Sequence, residues 1–75
     1  MAKLFWEAVP GLQVSVEQRT AFERVEIEKV VSTRDRSALK IFIHSERLIH
    51  KRSINQMEAE IKKQMFSKMV KLYKH

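Results

Sequence analysis

Two β-branched runs constrain this chain more than any other feature. Val25, Ile27, Val30 and Val31 are interleaved with Glu26 and Glu28, and a few residues later Leu39, Ile41 and Ile43 alternate with Lys40 and Phe42. Alternation of this kind sends successive side chains to opposite faces of an extended strand, and β-branched residues fit such a pleated, half-buried surface. The short polar link Arg34-Asp35-Arg36-Ser37 makes an antiparallel hairpin the simplest arrangement. Strand one is expected over 25–33, with an irregularity near Lys29 where the alternation slips. The link contains no Asn-Gly or Asp-Gly, so the turn type stays open.

Helical spacing surrounds the hairpin. Leu4, Phe5, Ala8 and Val9 predict a short helix over 3–9, with Trp6 on its edge, stopped by Pro10-Gly11. Ser15 followed three residues later by Gln18 is a capping-box pattern and predicts a helix over 16–24, with Val16, Thr20 and Phe22 as a weak apolar face. Residues 45–53 read as a loop or helical turn anchored by the apolar pair Leu48-Ile49 beneath an exposed charged rim. Ser53 is placed to cap a helix in which Ile54, Met57, Ile61 and Met65 share one face, the two methionines serving as core filler. Val70-Lys71-Leu72-Tyr73 then forms a last strand, parallel to strand two across the helical crossover. The expected fold is therefore α+β: a three-stranded mixed sheet with helices on one face, in the KH-like order α-α-β-β-α-β. A final strand running almost to His75 suggests one domain over 1–75, cut from a longer chain.

With 75 residues and one thin core, the chain has little surface to spare for a large catalytic cleft. The absence of cysteine removes disulfides, thiolate metal sites and thiol nucleophiles, and is consistent with a cytosolic setting. His44, His50 and His75 have no HxxxH spacing or acidic triad beside them, so no metal site is expected. Asp35 sits between two arginines, and Glu58 and Glu60 are two helical positions apart, which does not bring them face to face. The single glycine, Gly11, follows a proline and can write neither a phosphate-binding loop nor the GXXG clamp of KH domains. No catalytic residue and no cofactor are expected, and no run approaches the length of a membrane span.

Charge is unevenly placed. Through Thr33 there are four Lys/Arg against five Glu, and from Arg34 onward eleven against four acids. A basic half attracts an acidic protein surface or a nucleic-acid backbone. Phe42 and Tyr73 are expected on the outer sheet face beside Lys40 and Lys71, a surface suited to stacking and phosphate contact or to packing against another helix or domain. Arg47, Lys51, Arg52, Lys62 and Lys63 complete the candidate partner- or DNA-binding residues.

The words Arg36-Ser37-Ala38-Leu39-Lys40-Ile41-Phe42-Ile43, Ser45-Glu46-Arg47-Leu48-Ile49-His50-Lys51 and Met57-Glu58-Ala59-Glu60-Ile61-Lys62-Lys63-Gln64, with Val25 to Val31 before them, resemble the extreme N-terminal domain of the PolC-type DNA polymerase III alpha subunit of low-GC Gram-positive bacteria. The likeness reaches, less distinctly, back to Phe5-Trp6 and forward to Tyr73. It implies a leading domain of a replicative polymerase, cytoplasmic in a bacterium, with a KH-like fold similar to the polymerase-binding C-terminal domain of the clamp-loader tau subunit. The polymerase and 3′–5′ exonuclease centres of such an enzyme lie elsewhere in its chain. The implied role is non-catalytic attachment of a monomeric domain to a replisome protein, either the tau subunit or other domains of the parent polymerase. The alternative is sequence-independent DNA binding by the basic half, in which affinity falls steeply with salt.

Overall fold

The computed structural model describes residues 3–35 and 37–74. Its elements run β1 (Lys3–Leu4), α1 (Phe5–Ala8), α2 (Val16–Ala21), β2 (Glu26–Ser32), β3 (Ala38–His44), α3 (Lys51–Gln64) and β4 (Met69–Lys74). The class is α+β and the sheet is mixed, but it has four strands in the order β1-β2-β3-β4, not three. The element order is thus β-α-α-β-β-α-β in place of the expected α-α-β-β-α-β. The additional strand arises because Leu4 is extended (φ −63°, ψ 143°) and Lys3 and Leu4 pair antiparallel with Ile27 and Glu26. The Phe5 amide then donates to the Val25 carbonyl at 2.8 Å. Only Phe5 to Ala8 remain for the first helix, a single turn.

The hairpin and the parallel strand form as the alternation dictates. β2 and β3 are antiparallel, β3 and β4 parallel, with Ile41 opposite Val30 and Leu72, and Phe42 opposite Lys29 and Tyr73. The slip near Lys29 is a bulge: Ile27 faces Ile43 and Lys29 faces Phe42, leaving Glu28 as the extra residue. The turn is organised by Asp35, whose carboxylate accepts from the Thr33 hydroxyl (2.7 Å), the Ser37 hydroxyl (2.8 Å) and the Ser37 amide (3.1 Å). Arg36, which completes that connector, lies outside the described residues.

One face of the sheet is covered. Ile41, Ile43, Val70 and Leu72 are buried together with Phe5, Leu12, Phe22, Val25, Ile49, Met57 and Ile61. Two aromatic contacts stiffen the end near β1: Phe5 meets Phe22 at 5.0 Å and Trp6 edge-on at 5.1 Å. Trp6 itself donates from its indole to the Arg19 carbonyl (3.1 Å), with the Arg19 guanidinium 4.6 Å over its ring.

Several expected inner positions are corrected. Ser15 caps α2 by accepting from the Gln18 amide, but the Gln18 side chain does not return to complete the box. Gln18 is buried, and its amide group donates to the Ser53 carbonyl of α3. α2 ends at Ala21 because tight turns follow, Glu23 amide to Thr20 carbonyl and Val25 amide to Phe22 carbonyl, which drop both Phe22 and Val25 into the core. Val16, assigned to the apolar face, is instead 81% exposed. In the 45–50 loop only Ile49 anchors, while Leu48 is 93% exposed. α3 begins before the expected Ser53 cap, with His50 at the capping position and no side-chain cap. Met57 fills the core as expected, but Met65 closes the helix at a half-exposed position.

Candidate functional site

The nine candidate residues do not form one surface, and the elements explain why. Register places Lys40 directly opposite Lys71 and Phe42 directly opposite Tyr73. Strand partners share a face, and their sequence neighbours Ile41 and Leu72 are buried on the helix side, so these four side chains stand on the uncovered face. There the Phe42 and Tyr73 rings stack, centroids 5.1 Å apart and planes 20° from parallel. This group is assembled as the alternation predicts.

The bulge adds a fifth member. With an unbroken alternation after Ile27, Glu28 would fall opposite Phe42 and Lys29 would turn toward the helices. The extra residue shifts the frame by one, so Lys29 takes the place opposite Phe42 and Val31 the place opposite Lys40. The exposed rows therefore read Lys29–Phe42–Tyr73 and Val31–Lys40–Lys71 across the sheet, with Glu26 and His44 paired in the next row.

Arg47 lies elsewhere, on an open groove of about 490 Å³ between α2 and the 45–50 loop, and Lys51 and Arg52 stand at the start of the adjoining α3. Val16 and Leu48 project at its mouth and Ala21 and Ile49 line it, with Arg47, His50 and one acid, Glu17, among its polar lining. Lys51 and Arg52 open α3, whose first turn has no acidic residue. Cations at a helix N-terminus stand against the helix dipole, so this end presents concentrated positive potential. Neither Val16 nor Leu48 was among the expected contact residues. Two adjacent apolar residues in a non-helical loop commonly point opposite ways, the one signal that separates Leu48 from Ile49.

Lys62 and Lys63 form a third site, in the last turn of α3, where positive charge complements the dipole. Eleven residues of helix separate them from Lys51 and Arg52, roughly 16 Å at the helical rise. A single basic patch joining the four is therefore not built.

The acidic side chains in α3 hold structure. A Glu58 carboxylate oxygen accepts from the Leu72 amide at 2.8 Å, and Glu60 accepts from the Gln64 side chain. Gln64 in turn bridges both backbone groups of Gln13, accepting at 2.8 Å and donating at 2.7 Å. Among the described residues no group of three His, Cys, Asp or Glu is placed to hold a metal ion, and no helix is long and apolar enough to cross a membrane.

These features define a small α+β domain with a sheet covered on one side, an aromatic–lysine face on the other and a basic-rimmed apolar groove at one end. The family model described as DNA polymerase III polC-type N-terminus I matches residues 4–72, and the chain belongs to that family. No curated protein and no solved structure matches it.

Proposed function

We propose that this domain is a non-catalytic docking module of a replicative DNA polymerase III alpha subunit, and that it seats an acidic, amphipathic segment of another replisome protein in the groove between α2 and the 45–50 loop. The observation that carries the reading is the pair Val16 and Leu48, two large aliphatic side chains at the groove's mouth exposed to 81% and 93% in a chain with little apolar surface to spare. Arg47 in the groove, with Lys51 and Arg52 at the start of the adjoining α3, outweighs the single lining acid Glu17 and supplies the complementary charge, which steers encounter with an acidic partner and sets its orientation. The clamp-loader tau subunit is the candidate partner, and the bacterial cytoplasm the compartment.

The test is a two-dimensional NMR titration of the labelled chain with the tau C-terminal region. Shifts should centre on residues 16–21 and 47–53 and persist at about 200 mM salt, because an apolar anchor outlasts screening. Leu48→Glu should weaken binding at least about tenfold, as loss of an interface anchor does, and leave the thermal midpoint unchanged because Leu48 is exposed. Shifts confined to any other surface, or a Leu48→Glu variant that binds normally, would overturn the assignment.

A further inference from the structure

The open face of the sheet is chemically unlike the groove. Of the residues in its two central rows, three are lysines, two are stacked aromatics and one is Val31. Lys40 and Lys71 occupy directly opposed positions, where like charges destabilise a sheet unless an anion lies between them. Lys29 joins them only because β2 carries the bulge, which puts a cation in register with Phe42 where unbroken alternation would put Glu28. Tyr73 belongs to β4, the last strand of the sheet, so one face of its ring stacks on Phe42 and the other looks past the sheet. Tyr73 is 42% exposed. Flat π-surface and phosphate-neutralising charge thus alternate within a few ångströms, with successive rows roughly 7 Å apart along the strands.

We infer that this face binds single-stranded nucleic acid, one base stacking on the free side of Tyr73 and the sugar-phosphate backbone crossing Lys71, Lys40 and Lys29. A duplex hides its bases' π-faces and would engage only the lysines. An acidic peptide would satisfy the charge but leave the ring pair unused. Single strands match both, and the contact is sequence-tolerant because every base has a stackable face. Glu26 lies in the neighbouring row opposite His44 and bounds the strand's path on that side, while Glu28, the exposed extra residue of the bulge, adjoins Lys29. This surface is separate from the groove assigned to a protein partner, and neither assignment depends on the other.

The experiment is a titration of the labelled chain with an oligothymidylate of about eight nucleotides, a length within one small domain's usual site. It is run at about 50 and 200 mM salt, beside a duplex of equal length and a polyglutamate of equal charge. Three neutralised phosphates give a log–log salt slope of about −2 and a roughly 20-fold loss of affinity across that range. Lys71→Gln should reduce the slope by about 0.7. Tyr73→Leu should weaken binding about tenfold and leave the slope unchanged, because stacking releases no counterions. Both variants should still bind the tau region, and Leu48→Glu should still bind the oligonucleotide. Shifts at Lys51, Arg52, Lys62 or Lys63 in place of Phe42 and Tyr73, equal binding of duplex or polyglutamate, or no binding at the lower salt would each overturn the inference.

Discussion

Phe66 shows how much a single residue can be made to tolerate. It follows the last turn of α3 with φ 56°, in the left-handed region, and the Ser67 amide returns to the Lys62 carbonyl at 3.1 Å to close the helix. That closure is normally given to glycine, because a Cβ clashes in this conformation. The side chain gains no shelter in return, being 92% exposed. Phe66→Gly should therefore stabilise the chain by about 1 kcal/mol, seen as a higher urea midpoint at unchanged slope. Asp35 carries the other residue-scale prediction. Hydrogen bonds from Thr33, then from the Ser37 side chain and amide, lower its pKa to about 2 from 3.8. A carboxylate depressed on folding contributes stability that is fully present above its unfolded pKa and is lost as pH falls through the folded value. The thermal midpoint should therefore carry an acid-sensitive component between about pH 4 and 2 that Asp35→Asn lacks. Legibility at this scale was poorest. Nothing local in the sequence foretold that Gln18 would turn inward to Ser53, that Gln64 would clasp Gln13, or that Leu48 would face water, because each outcome is decided by a partner distant in the chain or by a loop's path.

At the scale of elements, the readable parts were those with a period. The alternation of β2, β3 and β4 located the hairpin, the slip near Lys29, the parallel last strand and the shared face of Phe42 and Tyr73. The three-and-four spacing of Met57 and Ile61 located α3. β1 was hidden because two residues hold no period, and only pairing with β2 makes them a strand. The bulge admits a direct test. Deleting Glu28 leaves Ile27-Lys29-Val30 in regular alternation with every cross-strand pair preserved, whereas deleting Lys29 leaves the same length of strand with Glu28 opposite Phe42. Both deletions should fold with the same strand register by amide NMR. Only the first should retain oligothymidylate affinity, and the second should lose at least about tenfold, since it replaces a phosphate-facing cation by an acid. Equal affinities would show that the bulge serves twist alone.

Across the whole molecule, three surfaces carry three different characters. The groove end is apolar with a basic rim, the uncovered sheet face alternates rings and lysines, and the C-terminal turn of α3 holds Lys62 and Lys63 in a dipole-complementing position. The charge count of the second half announced a basic region but not its division, because helix length, not composition, separates Lys51 and Arg52 from Lys62 and Lys63. The hydrogen bond from the Leu72 amide to Glu58 has a bearing on all three surfaces. β4 has a sheet neighbour on one side alone, and its outward amide is the group by which a foreign strand would attach itself. With that amide already engaged by α3, strand addition is obstructed at the middle of this border. A partner at this border is then selected more by its side chains or its bases than by an extended backbone, so the vocabulary of recognition here is chemical identity rather than conformation.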